Sequence, residues 1–310
     1  MNDKCVGGSE SGSRKGLFIV NAFLDSPQVN ETYSMLMEAA KRAGLDMRMC
    51  TNADFFADME GLRAVPASLQ TAEEIKNCSF ILFWNKDVLL ARSLERMGLR
   101  LFNPAYAIES CDNKALTYER LGGICRIPKT YRVPMTFTGI GYGDLSFEDF
   151  LGSRLGYPYI IKECLGSYGE QVYLAKNPEE ARSILGSVAG SDCIAQEFIA
   201  SSYGRDIRAY VIGDRVAASM ERHNPNDFRS NITGGGMAEP HEVTEEEERM
   251  AIAAAKKLGL DFAGVDMLIA EDGGPMLCEV NSNAQFSGLL KATGINIADA
   301  ISEHIRNAIA

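Results

Sequence analysis

The strongest constraint on how this chain can fold is an alternation near its start. Residues 17–23 are an apolar run of strand length, and 45–50 and 80–84 are further strand candidates. Between the first two, residues 33–43 place Met35, Leu36, Ala39, Ala40 and Ala43 at helical spacing before Gly44 stops the pattern. Strands that alternate with helices bury both faces of a parallel sheet, so residues 16–105 are expected to form an open α/β sheet that Asn103-Pro104 closes. No Gly-x-Gly-x-x-Gly follows the first run, and a dinucleotide site is therefore not indicated there. Residues 1–15, with Gly7-Gly8-Ser9-Glu10-Ser11-Gly12-Ser13, read as a disordered leader.

A chain of 310 residues with 46% apolar content has room for two or three cores. Residues 106–190 are expected to form a second unit: a helix from about Asn113, capped by Asp112 and ended by Gly122-Gly123, then strands at 157–163 and 172–175 around a glycine turn. Residues 191–310 read as a third unit, with strands at 193–199, 206–212 and 215–222. Thr244-Glu245-Glu246-Glu247 is a capping box for a helix that Gly259 closes. The acids at 245–248 suit the positive end of that helix, so no catalytic role is assigned to them. Thr233-Gly234-Gly235-Gly236 reads equally as a flexible substrate loop or a turn.

The net charge of −11 argues against nucleic acid or an anionic membrane as partner, since both need a basic footprint. No apolar run approaches the ~20 residues of a spanning helix, and no signal segment precedes the first strand. Eight cysteines without a Cys-x-x-Cys pair, and only three histidines, indicate reduced thiols in a cytoplasmic protein without a zinc site.

The most informative stretch runs from Gly264 to Asn281. Two strand-like runs, 265–269 and 276–281, flank Glu271-Asp272-Gly273-Gly274. With Asp272-Gly273 as a two-residue turn, Asp266 lies opposite Glu279, and Asn281 points to the same face. Opposed acids destabilise a sheet. A hard divalent cation on nucleotide phosphates would resolve the conflict through these oxygens, Mg²⁺ above all; the plainer reading is two exposed strand acids. Lys162 closes a buried-looking strand just before Gly166-Ser167-Tyr168-Gly169, where an ammonium and free N–H groups could meet one phosphate chain. Lys162 and Lys114 also have ordinary readings as surface lysines.

Taken in order, these segments resemble the ATP-grasp ligases of the RimK type, which include glutamate ligases acting on ribosomal protein and on cofactors. The resemblance is carried by Asp112-Asn113-Lys114, Ile160-Ile161-Lys162-Glu163, Gly166-Ser167-Tyr168-Gly169, Gln196-Glu197-Phe198-Ile199, Gly204-Arg205-Asp206-Ile207-Arg208, Asp227-Phe228-Arg229-Ser230-Asn231, Ala263-Gly264-Val265-Asp266 and Glu279-Val280-Asn281. It implies an α/β (α+β) architecture, with an N-terminal open parallel-sheet domain followed by two ATP-grasp subdomains.

It also implies roles. Lys114 and Lys162 would contact ATP phosphates under a turn containing Gly166, Ser167 and Gly169. Glu197, Phe198 and Ile199 would meet adenine, and Asp206 the ribose. Arg229, Ser230 and Asn231 would line the phosphate region, where Arg222 and Arg229 would stabilise reacting charge. Asp266, Glu279 and Asn281 would hold two Mg²⁺ ions, with Mn²⁺ able to stand in. The chain departs from the family at Gln171, where a third glycine is usual, and at Asn283-Ala284-Gln285-Phe286, where a Ser-Pro-Gly-like turn is usual.

The implied reaction joins a small-molecule or peptide carboxylate to an amino acid, glutamate first, through an acyl phosphate, in a homo-oligomer. A phosphotransferase, or a nucleotide-binding module without turnover, stands as the alternative. No Ser/His/Asp or Cys/His nucleophile is needed.

Overall fold

The computed structural model describes residues 14–166, 169–231 and 235–310. The N-terminal domain runs β1 (Arg14–Val20), α1 (Pro27–Arg42), β2 (Leu45–Thr51), β3 (Phe55–Asp58), β4 (Arg63–Pro66), α2 (Leu69–Lys76), β5 (Phe80–Phe83), α3 (Val88–Arg96) and β6 (Leu101–Phe102). Its main sheet is parallel in the order β2-β1-β5-β6, as the alternation predicts. Two limits differ from expectation. Arg14 and Lys15 already pair with β2, so the first strand begins inside the expected leader, the rest of which lies outside the described residues. The first helix begins at Pro27, six residues early, because Ser26 Oγ accepts the Val29 N–H and proline suits the first helical position.

The chain continues through α4 (Ala105–Asp112), α5 (Lys114–Leu121), β7 (Thr130–Arg132), α6 (Phe147–Leu155), β8 (Tyr159–Glu163), β9 (Val172–Ala175), α7 (Pro178–Ser187) and β10 (Cys193–Glu197). Asn113, not Asp112, caps α5: its Oδ1 accepts from the N–H groups of Ala115 and Leu116, while Asp112 ends α4 and pairs with Lys86. The four strands form an antiparallel sheet ordered β7-β10-β8-β9.

The last part comprises β11 (Arg205–Ile212), β12 (Arg215–His223), β13 (Met237–Pro240), α8 (Glu245–Leu258), β14 (Phe262–Ile269), β15 (Pro275–Asn281), α9 (Ser287–Thr293) and α10 (Ile297–Ala308). Its antiparallel sheet is ordered β13-β12-β11-β14-β15. The capping box at Thr244 and the left-handed Gly259 bound α8 as expected.

The expected unit boundaries at 105/106 and 190/191 do not follow the packing. Ala107, Cys111, Leu121 and Cys125 pack with α8 and the five-stranded sheet, whereas Cys193–Glu197 pairs within the four-stranded one. Strand alternation then sets the faces of the larger sheet. Ile207, Ala209 and Val211 of β11 join Ala263, Val265 and Met267 of β14 against α8, leaving Asp206, Arg208 and Asp266 on the opposite face.

Candidate active site

That opposite face carries a ladder of charges. Asp206 stands opposite Arg222, and Arg208 opposite Asp266. Arg222 donates through Nε and Nη2 to the two oxygens of Asp206, at 2.7 and 2.5 Å, and its Nη2 also lies 2.9 Å from Asp266 Oδ2. Arg208 clasps Asp266 with two bonds of 2.6 Å. Planar guanidinium–carboxylate pairs of this kind are strong and tightly oriented. Burial alone would push the Asp266 pKa up, but Arg208 and Arg222 outweigh it and hold the carboxyl at about 2. Arg222 is itself held more basic than usual: burial opposes its charge, and Asp206 and Asp266 more than offset that.

Asp266 and Glu279 are directly opposed, as the sequence predicts, but by a different route. The turn is not two residues long. Ile269 pairs with Pro275 across a five-residue connection, 270–274, and a bulge at Cys278 then shifts the register by one to bring Glu279 opposite Asp266. The remedy for opposed acids also differs from the expectation of a cation alone, because Arg208 and Arg222 already balance Asp266.

Lys162 sits at the end of β8, where Tyr159, Ile160 and Ile161 are buried, and is itself only 7% exposed. Its Nζ lies 4.0 Å from Cys278 Sγ. Burial works against its charge, but Cys278, Tyr118 and Glu279 around it raise its pKa above the ordinary lysine value. Burial pushes the Cys278 thiol to about 11. Lys114 opens α5, is buried rather than a surface charge, and donates from Nζ to the Gly166 carbonyl at 3.3 Å. Tyr118, one turn later, donates to the carbonyl of the bulged Cys278 at 2.5 Å. Gly166 has φ +141°, and a Cβ there would come within 2.3 Å of Gln171 Oε1, so glycine and the unexpected glutamine fit as a pair. Arg229 pairs with Asp227 and donates from Nη1 to the Gly169 carbonyl at 2.9 Å.

These side chains enclose a cleft of about 910 Å³, counted to its open mouth, between the two antiparallel sheets. Its wall includes Lys114, Lys162, Gly166, Gly169, Glu197, Phe198, Ile199, Asp206, Arg222, Arg229, Ser230, Asn231, Asp266 and Glu279. Ser167 lies outside the described residues, as do residues 233 and 234 of the glycine-rich Thr233–Gly236 stretch.

Asn281 is on the wall of a second, larger cleft of about 1,660 Å³. This one lies between the N-terminal domain and the five-stranded sheet, and it shares Arg222, Asn231 and Glu279 with the first. Its wall includes Asn21, Trp84, Asn85, Arg208, Gln285 and Lys291; of these, sequence reasoning noted Gln285 as a departure and Arg208 and Lys291 as cations without a role, and missed Asn21, Trp84 and Asn85. Two signals were present. Arg208 is two residues from Asp206 on one strand and so shares its face. Asn21 and Asn85 follow β1 and β5, at the carboxyl ends where open parallel sheets bind ligands.

The donors at Glu279 suit a hard divalent cation. Among the described residues no hydrogen bond or ion pair occupies its carboxylate. Asn281 follows on the same strand, and Asp266 Oδ1 accepts from one guanidinium N–H, leaving a lone pair. The set is two carboxylates and an amide; no group of three or more His, Cys, Asp or Glu side chains gathers among the described residues.

Residues 131–305 match the model of the RimK-like ATP-grasp domain. A probable alpha-L-glutamate ligase 2 of Shewanella amazonensis is 35% identical over 224 residues, which is 71% of this chain and 72% of that protein. The MG012 homolog of Mycoplasma pneumoniae, an uncharacterized protein, is 34% identical over 212 residues, 67% of this chain and 73% of that one. In fold, the chain is similar to the D-cycloserine synthetase DcsG, with a TM-score of 0.71 at 17% identity over 96% of this chain and 100% of that one.

Proposed function

Because the chain belongs to the RimK-like ATP-grasp family, and is thereby an ATP-dependent carboxylate–amine ligase, we propose that it adds glutamate, or another amino acid, to a peptide or cofactor carboxylate through an acyl phosphate. The observation that carries this reading is the junction of the two clefts at Arg222, Asn231 and Glu279. A phosphate chain in the first cleft and a carboxylate in the second would meet there.

An oxygen of the acceptor carboxylate attacks the γ-phosphorus of ATP, the bond to ADP breaks, and an acyl phosphate forms. The amine nitrogen then attacks the acyl carbon, the carbon–oxygen bond to phosphate breaks, and an amide remains; the amine's proton leaves to solvent. Lys162 and Lys114 take the role of offsetting negative charge on the phosphates. Arg222, locked by Asp206, presents a fixed positive charge at the junction, and such preorganised charge stabilises a transition state without reorganising. Arg229 braces the Gly169 turn over the phosphates. Glu279, Asn281 and Asp266 would hold a divalent cation, which would supply further charge neutralisation on phosphate oxygens.

The test mixes ATP, Mg²⁺, a panel of acceptor acids and each amino acid, and weighs the products. ADP and phosphate in step with an amide of glutamate mass support the reading. Stoichiometric AMP and pyrophosphate would exclude the acyl phosphate, and a basic or apolar increment would replace glutamate while leaving the ligase.

A further inference from the structure

The wall of the second cleft carries two buried hydrogen-bond donors that lack acceptors among the described residues. Trp84 is 2% exposed and Asn85 5%. Both are on the cleft wall, and among the described residues neither Trp84 Nε1 nor Asn85 Nδ2 has a partner. Such orphans are rare because each forfeits the bond it had to water. The amide of Asn85 is not free to turn over. Its Oδ1 accepts the backbone N–H of Lys86 at 2.7 Å and that of Asp87 at 3.1 Å, so the NH₂ group is the end left over. The Trp84 ring is fixed as well, stacked on Phe262 at 5.6 Å and edge-on to Phe286 at 6.1 Å.

The rest of the wall has the same polarity. Arg208 spends Nε and one Nη2 hydrogen on Asp266, which leaves its Nη1 donors and holds the guanidinium rigid. Lys291 has no ion-pair partner among the described residues. Among the described residues Glu279 is the one carboxylate on this wall, and it stands at the junction with the first cleft. Fixed donors and cations call for an anion with two acceptor oxygens.

We propose that the cleft between the N-terminal domain and the five-stranded sheet receives a non-reacting carboxylate of a substrate, through Trp84 Nε1 and Asn85 Nδ2, with Arg208 and Lys291 supplying the countercharge. The site rests on the ligase reading and names residues that select the substrate. Trp84 and Asn85 both follow the carboxyl end of β5, a parallel strand that precedes the region matched by the family domain.

The experiment measures binding of two probes by calorimetry in the presence of ADP and Mg²⁺: L-glutamate, and a short acetylated peptide with a free C-terminal carboxylate. Asn85→Asp keeps the acceptor for the two backbone N–H groups while replacing the donor by a negative charge. It is expected to weaken one probe about 10-fold or more, from the loss of a bond to a charged group. Trp84→Phe keeps the stacked ring and removes only the N–H, with an expected loss of about 3–10-fold for the same probe. ADP affinity measured alongside should stay within about twofold, and that separates a local effect from misfolding. The probe that weakens identifies whether the carboxylate belongs to the incoming amino acid or to the acceptor. Equal binding to wild type and both variants overturns the proposal, as does failure of wild type to bind either probe. Absence of amide product with every acid and amine would instead remove the ligase reading, whatever the binding shows.

Discussion

The nucleotide cleft and the cleft beside it are assembled in opposite ways. The first takes its wall from residues 114–279, mostly in short clusters such as Glu197-Phe198-Ile199 and Arg229-Ser230-Asn231. The second reaches from Asn21 to Lys291 and joins two domains, bringing clusters as far apart in sequence as Trp84-Asn85-Lys86 and Asn283-Ala284-Gln285 to one wall. In the proposed reading a phosphate chain meets lysines at a strand end and a helix start, each within a short segment that can be read locally. The second cleft depends on how the N-terminal domain sits against the five-stranded sheet, which no single segment shows.

Asp266 tests whether the two clefts are separable, because it balances Arg222, which faces both, and Arg208, which faces the second. Asp266→Ala leaves two guanidinium groups without their shared anion and should cost roughly 3–5 kcal/mol of stability in chemical denaturation. Glu279→Gln, at a carboxylate with no such partner, should change stability by less than about 1 kcal/mol while abolishing metal-dependent ADP release. Equal stability losses would show that the ladder does not hold the junction.

Lys162→Met addresses the first cleft alone. Turnover should fall about 10²–10³-fold, the range for removal of one preorganised charge, with glutamate binding unchanged. Loss of both would merge the clefts into one functional unit.

Acid titration sharpens the contrast further. The Asp266 carboxyl sits at about 2 in the fold, against ~3.9 unfolded, so its contribution is complete above pH ~4 and is lost as pH falls through about 2. That loss should amount to roughly 2–3 kcal/mol in pH-dependent denaturation, and Asp266→Asn should remove this part of the slope. A variant with the wild-type slope would assign the acid sensitivity elsewhere.

The smallest effect belongs to Tyr118→Phe, which removes the bond to the Cys278 carbonyl. It should cost about 1 kcal/mol and act on the nucleotide cleft only, seen as weaker ATP binding.

The alternation in the first hundred residues and the Thr244 capping box were legible because local patterns determine them. The Asp266–Glu279 pairing was reached through two departures that cancel: a longer connection and a bulged Cys278. The connection is held by Arg126 on Asp272 and the bulged Cys278 carbonyl by Tyr118, partners far away in sequence that the turn residues do not reveal. The domain limits were illegible for a related reason. Cys193–Glu197 reads as a strand wherever it pairs, and only its neighbours β7 and β8 reveal its sheet. Arg208 was visible as a cation, but its partner lies 58 residues away.

The contacts of α5 have a mechanical consequence. The backbone N–H of Lys114 is bonded to the Cys164 carbonyl just past β8, and the Tyr118 hydroxyl to the Cys278 carbonyl on β15. One two-turn helix thus bolts the four-stranded sheet to the five-stranded sheet at the floor of the nucleotide cleft. Sheets joined at the floor spread most at the rim, like the jaws of a peg. A rotation about that joint would displace the Gly169 end more than Lys114.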